Sequence, residues 1–225
     1  MTKFPKPLGR KNYGSIGHIA TSRLGENDYQ VDPGQTDICT INAKGNIVYV
    51  QTKLDGANVG VAKLPNGKIV GLTRKGYLLT DSTYEVHHSF HYWLKDNENI
   101  FANILMPGQR VVGEWLAMAH GTIYNLHGRS PFVAFDIMSE SDRMTYENFI
   151  KNIDGQLATP DTIQGPIQPK EALKFLDSYG AQIPEGVVYR VEKKNKVSFL
   201  AKWVRQGKED GKYMKLDEPI WNWTP

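Results

Sequence analysis

The sequence has little cysteine and no long apolar run. Its single cysteine, Cys39, cannot form a disulfide within the 225-residue chain, which suits a reducing compartment. No apolar stretch is long enough to cross a bilayer, and the N-terminus lacks the apolar centre of a signal peptide. We therefore predict a cytoplasmic protein without a membrane partner, in which Cys39 is a small buried side chain.

The sequence also lacks a large excess of charge of either sign. Lysine and arginine number 27 against 24 aspartates and glutamates, a formal net charge of +3. This balance does not by itself indicate a nucleic-acid-binding protein. Basic residues do cluster between Arg190 and Lys208 and at Arg10 and Lys11. Such clusters are either solvated faces or surfaces that bind phosphates.

The pattern of elements predicts an α+β fold with mainly antiparallel sheets and flanking helices. Residues 1–46, rich in Gly, Pro, Asn and Asp, are expected to be irregular. Alternation and turn residues predict strands at 47–53, 58–64, 68–74, 110–118, 132–138, 186–192 and 197–204. Helices are expected from 81 or 82 to about 105 with a break near 96–98, at 145–153 and at 169–179.

Charged residues interrupt or end several apolar strands. They are two lysines and three carboxylates: Lys53, Glu114, Asp136, Glu185 and Lys202. Lysines neutralise phosphate oxygens, carboxylates bind Mg²⁺, and a lysine with a lowered pKa is a nucleophile. If the sheets gather these side chains in one cleft, Lys53 attacks phosphorus in a site that neutralises phosphate charge.

The stretch "KLDGAN", which begins at Lys53, resembles motif I of the covalent nucleotidyltransferases, the ATP-dependent ligases and RNA capping enzymes. Five further motifs follow in the order of that superfamily: "TRKG", "GEW", "FVAFDIM", "EGVVYR" and "FLAKWVR". Six motifs in order are far more specific than one short pattern. Asn58 stands where DNA ligases and capping enzymes commonly have arginine. In this it resembles the RNA ligase branch, which includes the second RNA ligase of phage T4.

The resemblance implies a nucleotidyltransferase fold, an ATP-grasp-like ligase adenylation domain, and a three-step reaction. A lysine attacks the α-phosphate of ATP and forms lysyl-AMP. The AMP then passes to the 5′-phosphate of a nucleic acid, for which the resemblance favours RNA over DNA. A 3′-hydroxyl finally attacks the activated phosphate and AMP leaves. The implied cofactors are ATP and Mg²⁺, with Mn²⁺ as a substitute.

The resemblance also assigns the reacting groups. Lys53 is the nucleophile and needs a depressed pKa, which Mg²⁺ and nearby cationic side chains would provide. Lys202 neutralises the α-phosphate, and Glu185 and Asp136 bind Mg²⁺. Asp55, two residues after the nucleophile, belongs to the nucleotide-binding motif.

The remaining motif residues are assigned to the nucleotide and the nucleic acid. Glu114 would hold the ribose hydroxyls and Phe135 would stack on adenine. Arg74 would contact ribose or the strand that carries the 5′-phosphate, and Asn58 would orient the steps on nucleic acid. Gly56 would allow the backbone to turn sharply beside the nucleotide.

One departure from the family concerns the last motif, where many members have two lysines two positions apart. Lys202 has Leu200 and Val204 at that spacing, and whether Arg205 substitutes for the missing lysine stays open.

A second departure is the absence of room for a further domain. About twenty residues follow the last motif, too few for the C-terminal domain that these ligases carry. We therefore expect residues 1–225 to form a single adenylyltransferase domain: a minimal ligase, a shortened chain, or an enzyme that borrows a protein partner for strand binding. If strands are held by the chain itself, its basic clusters would hold them.

Three alternatives remain at this point. An ATP-dependent DNA ligase that seals nicks is disfavoured by Asn58. A capping guanylyltransferase would use GTP in place of ATP. A non-catalytic relative that only binds nucleic acid is disfavoured because Lys53, Glu185 and Lys202 are all present.

Overall fold

The computed structural model describes residues 4–208 and 218–224, and within them the chain forms two five-stranded sheets and four α-helices. The first sheet contains, in spatial order, β1 (Gly17–His18), β10 (Lys196–Val204), β9 (Gly186–Lys193), β2 (Ile47–Lys53) and β8 (Thr162–Gly165). Its strands are antiparallel except that β1 runs parallel to β10.

The second sheet is antiparallel throughout. It contains, in spatial order, β4 (Ile69–Thr73), β3 (Ala57–Lys63), β5 (Gln109–Trp115), β6 (Phe132–Ser139) and β7 (Asp142–Arg143). The helices are α1 (Pro33–Thr40), α2 (Glu85–Ile104), α3 (Tyr146–Ile153) and the single turn α4 (Pro169–Ala172). The predicted α+β class with mainly antiparallel sheets is confirmed.

Alternation along the strands divides each sheet into an apolar face and a face that carries polar groups. On β2, Val48 and Val50 are fully buried in a core that also contains Cys39 of α1, whereas Gln51 and Lys53 face a cleft. Burial raises the pKa of the Cys39 thiol to about 12, in agreement with its prediction as a small buried side chain.

The second sheet packs its apolar face against the long helix α2 and against α3. Aromatic rings fill this core: Phe90, Phe101, Trp115, Phe132 and Phe149. The Phe90 ring centroid lies 5.1 Å from those of both Trp115 and Phe132. None of the helices in the described part of the chain combines the length and apolar character needed to cross a membrane.

The segment that precedes β2 is less irregular than its composition predicts, because it contains β1 and α1. The helix starts with two standard signals, Asp32 at the N-cap and Pro33 in the first turn. The amide of Asp32 donates to Gln35 Oε1 at 3.2 Å, as in a capping box.

Two helices differ from their predicted lengths. Helix α2 is unbroken, because Val86, Phe90, Leu94 and Phe101 continue one buried face past the polar residues 96–98. The helix predicted at 169–179 ends after one turn at Ala172. The next four amides donate two bonds to carbonyls three residues back and two to carbonyls four residues back, so no regular helix continues. The Asp177 amide then donates to Asp161 Oδ2 at 2.7 Å instead of to a helical carbonyl.

Gly186, the first residue of β9, lies where the backbones of β9 and β10 approach closely. A Cβ atom at this position would overlap the carbonyl oxygen of Trp203. We expect Gly186→Ala to lower the free energy of unfolding by about 1–3 kcal/mol, the usual cost of overpacking. Unfolding in denaturant measures this change.

The matched control is Gly34→Ala in α1, where an added Cβ has nothing within 4 Å. Because alanine is the better helix residue, this variant should be unchanged or more stable by about 0.5–1 kcal/mol. Equal stability of the two variants would contradict the close approach of β9 and β10.

Candidate active site

A cleft opens between the two sheets, lined by side chains from both and by the N-terminal segment. The structure brings seven of the predicted site residues to its walls: Lys53, Asn58, Arg74, Glu114, Phe135, Asp136 and Lys202. Tyr13, Ile16, Gln51 and Arg190 line it as well. Three predicted residues are not among the lining side chains: Asp55, Gly56 and Glu185. Of these, Glu185 contacts Lys53 directly.

Lys53 lies where the chain crosses from one sheet to the other. It ends β2 of the first sheet, and β3 of the second begins at Ala57. Gly56 in the crossing donates its amide to Glu114 Oε1 at 3.1 Å. A Cβ at Gly56 would overlap the Trp115 carbonyl oxygen. Close packing against β5 is therefore a second reason for this glycine, in addition to the predicted sharp turn, and the backbone does bend at Gly56.

The ammonium group of Lys53 is paired with Glu185, with Nζ and Oε2 2.6 Å apart. Burial alone lowers the pKa of Lys53, but the carboxylates of Glu185, Glu114 and Asp55 outweigh burial and raise it above its ordinary value. The protein alone thus holds Lys53 as a charged ammonium. The depressed pKa that a nucleophile needs is not a property of these protein groups by themselves.

Glu114, on β5, is a second carboxylate close to Lys53. Burial raises its pKa to about 7, against the opposing effects of the positive charge of Lys53 and the hydrogen bond from the Gly56 amide. Its protonation is therefore sensitive to charges nearby at neutral pH.

Lys202 reaches the cleft from β10 and donates to Asp28 Oδ1 at 3.3 Å. The other oxygen of Asp28 lies 3.2 Å from Nε2 of the buried His18. Burial and the positive charge of Lys53 lower the pKa of Lys202. Although burial opposes it, the Gly25 amide and the charges of Lys202 and His18 lower the pKa of Asp28 to about 2. Asp28 thus holds Lys202 as a charged partner.

Asp136, on β6, is almost wholly buried and joins the two sheets below the cleft. Its Oδ1 accepts a hydrogen bond from Arg190 of β9 at 2.6 Å. Its Oδ2 accepts from the Tyr13 hydroxyl at 2.7 Å and from Arg143 Nε at 3.3 Å. Both oxygens are therefore engaged by protein groups, and this geometry argues against the predicted role of Asp136 as a Mg²⁺ ligand.

Three further predicted residues occupy the walls nearer the N-terminal segment. The Phe135 ring packs edge-on against Tyr13, with centroids 5.2 Å apart. Arg74 is exposed, and its Nη2 lies 3.4 Å from Ser15 Oγ. Asn58 Oδ1 is buried and has no hydrogen-bond partner among the described residues.

Asp55 is not among the side chains that line the cleft, and it is held by residues from outside the motifs. The Lys208 side chain is 2% exposed, and its Nζ lies 2.8 Å from Asp55 Oδ2. The Asp55 amide donates to the Tyr124 hydroxyl at 2.8 Å. Arg205, which we considered as a substitute for the missing second lysine, instead donates to the Pro184 carbonyl at 3.2 Å. Lys208 thus contacts Asp55 of the "KLDGAN" motif, whereas Arg205 contacts Pro184.

Sequence reasoning missed several residues of this region. Arg190 could have been predicted from "EGVVYR". Side chains alternate along a strand, so Arg190 lies on the same face of β9 as Val188, which also lines the cleft. Asp28 pairs with both Lys202 and His18 through tertiary contacts that no local sequence pattern indicates. The same holds for Lys208, which lies in a turn beyond β10.

The donor set limits how a metal ion could bind. Within residues 4–208 and 218–224, no three His, Cys, Asp or Glu side chains are arranged as a metal site. Mg²⁺ commonly uses one or two carboxylates and completes its shell with water and substrate phosphates. Glu185, 12% exposed beside Lys53, fits such a site, whereas Asp136 does not.

We expect Asp136→Ala to lower the free energy of unfolding by about 1–3 kcal/mol, because the buried Arg190 and the Tyr13 hydroxyl lose their shared acceptor while Arg190 keeps Glu192 at 2.7 Å. Denaturant unfolding with and without Mg²⁺ tests this, and the loss should be the same in both. Asp142→Ala, an exposed carboxylate on β7, is the control and should change little. A loss that appears only with Mg²⁺ would instead indicate a metal ligand.

Comparisons with known proteins place this arrangement in a family. The family model described as RNA ligase matches residues 46–204. No curated protein sequence matches the chain significantly. Among solved structures, a Naegleria gruberi RNA ligase variant without ligand is 16% identical, with a TM-score of 0.51, over 91% of this chain and 61% of that one.

A second variant of the Naegleria gruberi enzyme, solved with ATP and Mn, is 17% identical, with a TM-score of 0.52, over 86% of this chain and 60% of that one. At these identities the likeness shows the fold alone, and the chain spans about three-fifths of the length of these relatives. The family model, in contrast, covers most of the chain, from before Lys53 to beyond Lys202. The chain therefore belongs to the RNA ligase family.

Proposed function

We propose that the protein is an ATP-dependent RNA ligase that works through a lysyl-AMP intermediate. The observation that carries the proposal is the position of Lys53. Its amine lies in a cleft whose walls hold a second lysine, Lys202, and an aromatic ring, Phe135, and it touches the carboxylate of Glu185. These are the groups needed to bind an adenine nucleotide and to attack its phosphate.

In the first step the Nζ atom of Lys53 forms a bond to the α-phosphorus of ATP. The bond from that phosphorus to the oxygen bridging the α- and β-phosphates breaks, and pyrophosphate leaves. Lys202 donates to the α-phosphate oxygens and offsets the negative charge that develops there. To do so it exchanges its hydrogen bond with Asp28 for one with the phosphate.

Lys53 must lose its proton before it attacks. Glu185 would hold a divalent cation, Mg²⁺ or Mn²⁺, which would supply positive charge to offset the negative charge of the phosphates. With its carboxylate so engaged, Glu185 no longer stabilises the ammonium form of Lys53. The amine would then give up its proton more readily to solvent, which reaches its 21% exposed side chain, since Glu185 is the main carboxylate that raises its pKa.

The nucleoside is bound by the walls of the same cleft. Phe135 offers a ring face for adenine, and Glu114 offers a carboxylate for the ribose hydroxyls. Arg74, exposed at the opening, would receive the 5′-phosphate that accepts AMP, and the unpartnered Oδ1 of Asn58 would orient that step. The 3′-hydroxyl of a second end then attacks the activated phosphate and AMP leaves.

We propose that RNA, in preference to DNA, is the nucleic acid that is joined, as membership of the RNA ligase family favours. We also propose that residues 1–225 act as one adenylyltransferase domain. We place the activity in the cytoplasm, where ATP is abundant and a free thiol such as Cys39 stays reduced.

Labelled ATP tests the nucleophile. Incubated with Mg²⁺, the protein should acquire acid-labile label that survives a denaturing gel, whereas Lys53→Ala should acquire none. Lys53→Arg should also fail although it keeps a positive charge beside Glu185, because a guanidinium group does not lose its proton. Lys68→Ala, at an exposed position, should label normally. Label that persists in Lys53→Arg would place the nucleophile elsewhere.

Glu185→Gln tests the proposed metal ligand. We expect the rate of self-adenylylation to fall by about a hundredfold or more at saturating Mg²⁺, because a neutral amide is a poor ligand for the cation that offsets phosphate charge. Glu171→Gln, an i,i+3 partner of Lys174 on the surface, is the matched control and should be unaffected. Near-normal labelling of Glu185→Gln would remove Glu185 from the metal site.

A further inference from the structure

The basic run from Arg190 to Lys208 does not form one surface. Arg190 is buried against Asp136, Lys202 lines the cleft, and Lys208 is buried against Asp55. What remains exposed on this hairpin is a group of three lysines, Lys193, Lys194 and Lys196, which we call the hairpin lysines.

The hairpin lysines lie far from the reacting amine. In the register of β2 and β9, Lys53 is opposite Gly186 and Ile47 is opposite Glu192, next to Lys193. Six residues of strand separate these two levels, which corresponds to about 20 Å. The hairpin lysines therefore occupy the end of the first sheet remote from Lys53.

A second basic group lies beside the cleft. The N-terminal segment runs along the turn that follows β4. The amide of Tyr13 donates to the Arg74 carbonyl at 3.2 Å, and Gly76 packs directly on the Arg10 carbonyl. This pairing brings together four exposed cations that are distant in sequence: Arg10, Lys11, Arg74 and Lys75. We call them the basic lip, because Tyr13 and Arg74 themselves line the cleft.

Positive charge at the basic lip is only weakly offset by acids. Glu140 approaches Arg10 at 4.0 Å, the outer limit of an ion pair, and is itself largely exposed. Below the lip, the pKa of Arg110 is lowered by burial and by the positive charges of Arg10 and Arg143. Several cations therefore lie close together in this region. Lys6 adds a further charge next to the lip, with Nζ 5.2 Å above the Tyr77 ring. A chain of phosphates is the natural complement of such a surface.

We propose that the basic lip holds the backbone of the RNA strand whose 5′-phosphate receives AMP. The inference rests on the proposed function, since that function brings the 5′-phosphate to Lys53 through the cleft. Arg74 stands at the opening for the terminal phosphate, and the phosphates that follow along the strand lie over Arg10, Lys11 and Lys75. The hairpin lysines do not take part.

Two triple variants that each remove three exposed positive charges test this assignment. The lip variant is Arg10→Ala/Lys11→Ala/Lys75→Ala, which leaves Arg74 intact. The hairpin variant is Lys193→Ala/Lys194→Ala/Lys196→Ala. Binding of a fluorescent 5′-phosphorylated single-stranded RNA, without ATP, is measured over a series of salt concentrations. The same proteins are then assayed for self-adenylylation and for RNA joining.

For the lip variant we expect affinity for RNA to fall roughly ten- to a hundredfold at 0.1 M salt, and the slope of log K against log salt to flatten by about 2, because three phosphate contacts are lost. Joining should fall with affinity, while self-adenylylation stays normal. The hairpin variant should match the unmodified protein in all three measurements.

The other outcomes overturn the assignment. Equal losses in both variants would mean that overall charge, and not the basic lip, attracts RNA. A loss confined to the hairpin variant would move the strand to the far end of the sheet, and normal binding by both would remove strand holding from both groups. Because binding is measured without ATP, a failure of self-adenylylation in the unmodified protein would refute the proposed function separately.

Discussion

The ion pair between Arg190 and Asp136 is the interaction on which the rest of the site depends. It joins β9 of one sheet to β6 of the other, with both side chains nearly inaccessible to solvent. A buried pair of this kind contributes little net stability compared with apolar packing, but it leaves few alternative arrangements because an unpaired charge there is costly. Its geometry therefore sets the spacing of the two walls of the cleft. The hydrogen bond from Tyr13 to Asp136 fixes the N-terminal segment to the same point, and Arg143 of β7 donates to this carboxylate as well.

Charge balance near Lys53 is the second constraint. Three acidic side chains keep this partly buried amine protonated, which offsets the cost of its burial in the protein without nucleotide. Lys202 has an equivalent arrangement, since Asp28 neutralises it from the N-terminal segment. Each lysine is thus held in place by a carboxylate, Glu185 for Lys53 and Asp28 for Lys202. The protein keeps two like charges close together without leaving either unpaired.

The extent to which the sequence predicts this structure depends on the range of the interactions. The alternation of apolar and polar residues predicted most ends of the long strands to within one or two residues. The order of the six motifs indicated the family and most of the predicted residues that line the cleft. The strands β1, β7 and β8 are too short for an alternation of apolar and polar residues to be recognised in the sequence. The roles assigned to individual site residues stay predictions. Asp136 shows why: its motif looks like a metal-binding carboxylate, but its partners Arg190 and Tyr13 come from 54 and 123 residues away.

The crossing of the chain at Lys53 has a thermodynamic consequence. Because Lys53 belongs to one sheet while Glu114 and Phe135 belong to the other, any ligand that touches all three ties the sheets together. Its binding free energy then opposes separation of the sheets, and so adds to global stability instead of rigidifying one loop. At a hundredfold excess over its dissociation constant, such a ligand adds about 2.7 kcal/mol. Nucleotide binding would thus register as a rise in the melting temperature of the entire domain.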